Sequence, residues 1–234
     1  MDDHPVNSTT EKIPPTSFFE VFVSKEAFKF NSSHFVAFPG FRERLHGHSY
    51  RLSIRLVGSR TIGQDGYVID FGEVKDVTKK LCKDINEYFL CPIYSPVLKI
   101  TEIADEVGTS TSVEIITEDG GRFLMPRGDV AMLPILHSTA EELAIYFWGK
   151  IMIELGAEYL LKRNIHTMEV TCAEGPGQEA IFRMAIPKDG SKESIEELCD
   201  VRKYVSKDAI VEKPCAVRQE NGKKLITTSR KNED

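Results

Sequence analysis

Residues Arg42–Leu56 read RERLHGHSYRLSIRL, and this stretch decides the fold. From His46 the even positions are His46, His48, Tyr50, Leu52, Ile54 and Leu56, whereas Arg51, Ser53 and Arg55 take odd ones. Successive side chains of a strand point to opposite faces, so this alternation predicts a half-buried β-strand. The apolar side of that strand begins with two imidazoles. Residues i and i+2 lie roughly 6.5–7 Å apart along one strand face. Both rings can therefore close on one ion at about 2.0–2.1 Å from each nitrogen. Glu43 stands three residues ahead of His46, an ExxH spacing.

A structural metal site closes with four protein ligands, usually including thiolate. No cysteine lies near this strand. Working outward, Phe18–Phe35 (FFEVFVSKEAFKFNSSHF) is rich in aromatic and β-branched residues and predicts the preceding strand. Phe28, Phe30, Ser32 and His34 share one parity there, which offers His34 as the third ligand. Three imidazoles with an open fourth position describe catalytic zinc. The competing reading is a set of ordinary hydrogen-bonded histidines near a sheet edge. His4, His137 and His166 are assigned no role.

Asp70-Phe71-Gly72-Glu73 has capping-box form and predicts a helix from Asp70 to Phe89, stopped by Pro92 and Pro96. Ser138-Thr139-Ala140-Glu141 predicts a second, with Leu143, Ala144, Phe147, Trp148, Ile151 and Leu155 at helical spacing. Between them, Val113–Pro126 is two short apolar runs around Asp119-Gly120-Gly121, a hairpin signal. Residues 93–136 are therefore expected to be an insertion carrying a β-hairpin. HTMEVTCAE places Met168, Val170, Cys172 and Glu174 on one side of a strand, and EAIFRMAIP follows Gly175-Pro176-Gly177 as the last. Strand pair, helix, helix, strand pair is an α+β sheet with helices on one face. Residues 1–16 are expected to form a disordered leader and 17–187 the domain. Residues 188–234 are expected to form a charged tail, with Ile195, Leu198, Val201, Tyr204 and Val205 on one face of a short helix.

The chain has 234 residues and is 41% hydrophobic, sufficient for one core, and its net charge of -6 argues against a general nucleic-acid surface. No apolar run reaches membrane-spanning length, and the first residues, MDDHPVNSTTEKIPPTS, lack the apolar centre of a signal peptide. Five cysteines, an odd number without a CxxC pair, are expected to be reduced thiols of a cytoplasmic protein.

Five ordered features carry a family resemblance: His34 in FNSSHF, His46-Gly47-His48 followed by Tyr50, the turn Gly66-Tyr-Val-Ile-Asp70-Phe71, Ser138–Glu141, and Glu174 ahead of the last strand. Together they resemble the 6-pyruvoyl-tetrahydropterin synthase family, which includes the 6-carboxy-tetrahydropterin synthases. The resemblance spans about Phe18 to Pro187. It implies a tunnelling fold, a four-stranded antiparallel sheet with two helices on one face, whose sheets join into trimeric barrels that stack as a homohexamer. It also implies a Zn2+ site at His34, His46 and His48, a pterin anchor at Glu174, and a pocket lined by Thr139 and Glu141. Glu174 suits that role chemically, since a carboxylate can accept parallel hydrogen bonds from a ring N–H and an amino group.

Two positions depart from the common pattern. Most members carry a cysteine shortly before HGH as the acid/base group, where this chain has Phe41, Arg42, Glu43, Arg44 and Leu45. A variant branch uses glutamate there to cleave the side chain of dihydroneopterin triphosphate, leaving 6-hydroxymethyl-dihydropterin, and Glu43 is similar to it. The family's Asp-His relay falls, counted ungapped from Asp70, on Asn86 and Glu87. Asn86 cannot carry charge and Glu87 cannot act as neutral imidazole. The expected function is a zinc-dependent pterin lyase with Glu43 as general base. Alternatives are an ordinary 6-pyruvoyl-tetrahydropterin synthase, a catalytically impaired pterin-binding protein, or an assembly protein acting through its insertion and tail. Arg42 and Arg44 are candidates either for triphosphate contact or for solvated charges.

Overall fold

The computed structural model describes residues 18–106, 108–206, 219–220 and 223–224. The leader expected at 1–16 and most of the chain beyond residue 206 lie outside the described residues. In chain order the elements are β1 (Glu20–His34), β2 (Ala37–Phe38), β3 (Phe41–Arg42), β4 (His46–Gly58), α1 (Phe71–Asp84), β5 (Phe89–Pro92), β6 (Leu98–Ala104), β7 (Ser110–Thr117), β8 (Arg122–Pro126), β9 (Val130–Leu133), α2 (Ala140–Leu155), α3 (Ala157–Lys162), β10 (Ile165–Gly175), β11 (Gln178–Ala185) and α4 (Lys192–Leu198). A first unit extends to Tyr204. In a second, Val205–Asp234, the pairs Gln219–Glu220 and Lys223–Lys224 run antiparallel.

The main sheet has strand order β11-β10-β4-β1-β5-β9. Its first four strands are the expected antiparallel set. The expectation of four strands is corrected to six, because β5 and β9 add to the β1 edge in parallel. The helix expected to reach Phe89 ends at Asp84. Asn86 Oδ1 accepts from the Asn31 amide at 2.9 Å, and the Glu87 amide, at φ 70°, donates to the Asn31 carbonyl. That turn delivers Phe89–Pro92, all four buried, to the sheet. A short apolar run is compatible with either a helix end or a buried strand, and tertiary pairing settles it here.

In β1, Val21 and Val23 face the core at odd positions, and Phe28, Phe30, Ser32 and His34 at even ones. The parity switches at an irregularity where β1 advances from Ser24 to Lys29 while its partner β4 moves only from Ser53 to Arg51. The helices cover one face. Leu143, Phe147, Trp148 and Ile151 of α2 and Val74 and Leu81 of α1 share a core with Leu52, Ile54, Leu56, Met168, Val170 and Cys172. Trp148 Nε1 donates to the Met168 carbonyl at 2.9 Å, satisfying its one polar atom inside that core. Beyond Pro187, Ile195 of α4 and Val201 are buried in the same core, and Cys199 packs on Gly149 of α2. Among the residues expected on that helix face, Tyr204 and Val205 stay about half exposed, because α4 ends at Leu198.

The insertion contains the expected hairpin, β7 and β8, joined through Glu118–Gly121 with Gly120 at φ 80°. A third strand, β6, pairs with β7. This small sheet has its own core, in which Val97, Leu98, Val113, Ile115 and Val130 meet Phe35 and Ala37 from the segment following β1.

Candidate active site

His34 and His46 are directly paired residues in the β1–β4 register, and Ser32 pairs with His48. Paired residues on one sheet face have Cβ atoms about 4.5–5.5 Å apart, and i and i+2 share a face. The register therefore brings all three rings together, with centroids 4.6, 4.9 and 5.1 Å apart and ligating atoms within 4.8 Å of one another.

The donor set fits a cation. His34 Nδ1 donates to the Ser138 carbonyl at 2.7 Å, leaving its buried Nε2 with no hydrogen-bond partner. His46 Nδ1 donates to the Arg44 carbonyl at 2.8 Å. Backbone acceptors at Nδ1 fix ring orientation and leave the lone pair on Nε2, the tautomer a metal needs. Burial holds the pKa of His34 down to about 4, partly opposed by the Ser138 carbonyl, so its ring is neutral at physiological pH.

Glu43 follows the small β2–β3 hairpin, whose turn uses Gly40 at φ 76°. The Glu43 amide donates to the Val36 carbonyl at 2.9 Å, and its Oε2 accepts from the Val36 amide at 3.2 Å. This double attachment returns the carboxylate to the rim of a cleft of about 520 Å³ shared with His34, His46, His48, Thr139, Glu141 and Glu174. All seven candidate residues thus border one space.

Glu174 ends the buried parity of β10, where Pro176-Gly177, with Gly177 at φ 75°, turns the chain into β11. Its Oε2 lies 3.9 Å from His48 Nε2. Burial raises its pKa; His48 opposes that shift, while the Glu141 and Glu43 charges reinforce it. Four carboxylates, of Glu43, Glu141, Glu174 and Glu179, border this cleft and favour an occupant rich in N–H donors or positive charge.

The second capping box is shifted by one residue from the sequence expectation. Thr139, rather than Ser138, is the N-cap, accepting from the Glu142 amide at 3.4 Å. Glu142 turns back to bind the Leu136 and His137 amides and His137 Nδ1. The shift releases Glu141 from capping and leaves it exposed at the cleft. It also leaves the Ser138 carbonyl available to His34, a contact no side-chain pattern announces. Tyr50, part of the HGH feature in the sequence and on its core parity, is given no role there. Its hydroxyl is buried without a partner, and its ring meets His34 and His48 edge-on at 5.8 and 5.6 Å. The relay positions do not line the cleft: Asn86 bonds the β1 backbone, and Glu87 is exposed in the turn. Arg42, a triphosphate candidate from sequence, is instead engaged by Asp119 of the insertion.

A sequence profile of the 6-pyruvoyl tetrahydropterin synthase family matches residues 23–185. The chain belongs to that family. A putative 6-carboxy-5,6,7,8-tetrahydropterin synthase of Methanocaldococcus jannaschii is 32% identical over 155 residues, 66% of this chain and 89% of that protein. Crystallised 6-pyruvoyl tetrahydropterin synthases of Plasmodium vivax and Plasmodium falciparum superpose with TM-scores of 0.68 and 0.68, at 39% and 39% identity, covering 73% of this chain and 99% of each. Two further Plasmodium vivax structures are variants in which a glutamate described as a catalytic residue is replaced by alanine or cysteine. The fold is therefore the tunnelling fold, and the function is that of a tetrahydropterin synthase-like enzyme of pterin biosynthesis with a small-molecule pterin partner. No helix among the described residues is long and apolar enough to cross a membrane.

Proposed function

We propose that this chain is a zinc-dependent lyase acting on 7,8-dihydroneopterin triphosphate and releasing 6-hydroxymethyl-dihydropterin. The observation carrying this reading is that the acidic group just ahead of His46 and His48 is a carboxylate, Glu43, tied by two hydrogen bonds to Val36 at the rim of the three-histidine cleft. The catalytic glutamate named for the Plasmodium vivax relative supports it. His34, His46 and His48 would hold the ion, and zinc when bound supplies a Lewis acid for side-chain oxygens.

Glu174 accepts the ring N–H and amino group, fixing the ring so that its side chain lies beside Glu43. The Thr139 hydroxyl, already accepting the cap bond, keeps its proton to donate toward the ligand, with Glu141 beside it. Glu43 takes the proton of the second side-chain hydroxyl. The bond between the first and second side-chain carbons then breaks, its electron pair passes into the ring C=N system, and the two-carbon fragment leaves as an aldehyde. The first carbon regains a proton, which Glu43 can return. Strand β11 is an edge of the main sheet, and edge pairing with another copy in the family's homohexamer would cover it. Among the described residues Cys82, Cys91, Cys172 and Cys199 are free thiols, which suits a reducing cytoplasm.

Incubating zinc-loaded protein with dihydroneopterin triphosphate and identifying the product by mass spectrometry tests this reading. Mainly 6-pyruvoyl-tetrahydropterin would make the chain an ordinary synthase, as the Plasmodium relatives are named. Binding without turnover would make it a pterin-binding protein. Glu174→Gln is expected to weaken pterin binding by on the order of 2–4 kcal/mol, because an amide offers one acceptor and one donor where the ring presents two donors. Zinc content should hold. Unaltered pterin affinity by calorimetry would mean that another residue anchors the ring.

A further inference from the structure

The segment carrying Glu43 is a short hairpin, closed by its two hydrogen bonds to Val36 and the Phe38–Phe41 stack. β2 and β3 pair through only Ala37–Arg42 and Phe38–Phe41, and an isolated hairpin of that size is not independently stable. The inserted sheet grips it from outside. Asp119, in the β7–β8 turn, accepts from Arg42 Nε at 3.0 and 3.1 Å and from Nη2 at 2.7 Å. The remaining end of the same guanidinium, Nη1, donates to the Glu43 carbonyl at 3.0 Å. One residue earlier in the turn, Glu118 Oε2 accepts from the Gly40 amide at 3.0 Å.

The grip is built rather than incidental. Asp119 is itself oriented by the Gly121 amide and the Thr117 hydroxyl. The Arg42 guanidinium lies over Phe35 and Phe123, at 5.9 and 5.6 Å from centroids that stack at 5.1 Å. Phe35 is the neighbour of His34, so the insertion abuts both the ligand strand and the Glu43 loop. Hydrogen bonding from Arg42 holds the Asp119 carboxyl well below the usual carboxylate range, so the pair stays charged at physiological pH. With its donors so occupied, Arg42 has a structural task here instead of phosphate recognition.

We propose that the inserted sheet is a latch for the Glu43 loop, and that Asp119, acting through Arg42, is a positioning residue for the reaction. This rests on the reading of Glu43 as the base. A base displaced by about 1 Å loses up to about 10²-fold in rate. A pair left partly open to solvent, 21% for Arg42 and 50% for Asp119, should shift it less than that.

The test uses the full zinc-loaded chain and compares Asp119→Ala, Asp119→Glu and Arg122→Ala, each also combined with Glu43→Gln. Arg122 pairs with Glu114 on the same hairpin and is not among the residues that hold Arg42. Asp119→Ala is expected to lower kcat about tenfold, with KM and zinc content essentially unchanged and amide exchange over residues 36–45 accelerated. Asp119→Glu should restore most of the rate, and Arg122→Ala should match the parent. In the Glu43→Gln protein, Asp119→Ala should cost nothing further. Unchanged kcat in Asp119→Ala, an equal loss in the Glu43→Gln background, or an equal loss in Arg122→Ala would overturn the latch. So would a rise in KM alone, which would return Arg42 to phosphate binding. An inactive Glu43→Gln with a normal Asp119→Ala removes only the latch, whereas a fully active Glu43→Gln removes the base and the latch together.

Discussion

Glu43→Gln is expected to lower turnover roughly 10²–10⁴-fold, the usual span for a general base, while zinc content and pterin affinity stay at parent values. Glutamine keeps the length and one carbonyl oxygen, so the Val36 amide retains an acceptor and the loop retains its path. What is lost is the capacity to take a proton. The chemistry leaves few substitutes. No cysteine among the described residues lines the cleft, and burial pushes Cys82 up to about 12 and Cys172 well above the ordinary thiol range. Glu174 and Glu141 share the cleft, but Glu174 is committed to the ring in the proposed pose. Steady-state rates with product identification, alongside metal analysis and calorimetry, separate loss of the base from loss of binding. A fully active Glu43→Gln protein, or a parent enzyme making chiefly 6-pyruvoyl-tetrahydropterin, would remove the assignment.

The parent protein is expected to carry about one zinc per chain, as a three-histidine site holds, and His34→Ala, His46→Ala and His48→Ala should each sharply lower it. Loss of an outer-sphere partner alone typically costs about 10–100-fold in metal affinity, and removal of a ligand should cost more. The three variants are not equivalent tests. His34 is 1% exposed and bonded to the Ser138 carbonyl, so its deletion opens a void and orphans a buried acceptor. Its metal loss could be confused with damage to the fold. His48, two residues beyond His46, is partly open to solvent at 25%, and its Nε2 lies 3.9 Å from Glu174. His48→Ala is therefore the clean variant. Elemental analysis after dialysis, with circular dichroism to verify the fold, decides the matter. Full zinc retention by His48→Ala would sink the three-histidine site.

Much of the site was legible in the chain because strand parity is local. The even run from His46 to Leu56 fixes which side chains share one sheet face, buried from Tyr50 onward, without reference to anything beyond β4, and the same argument places His34 on β1 and Glu174 on β10. The ExxH spacing of Glu43 is legible for the same reason, since three residues cannot carry a carboxylate far from the strand it precedes. What sequence could not supply was register and partnership between distant segments. Direct pairing of His34 with His46 depends on an irregularity in β1 that no motif marks. The choice of Thr139 over Ser138 as N-cap depends on Glu142 finding the Leu136 and His137 amides. The four apolar residues Phe89–Pro92 suit helix or strand equally until β1 offers an edge. Arg42, readable alone as a phosphate ligand or a solvated charge, acquires its task only when Asp119, 77 residues later, is folded against it. Side-chain direction follows from backbone geometry between neighbours, whereas an ion pair or a sheet edge exists only after loop closure has brought its two halves together.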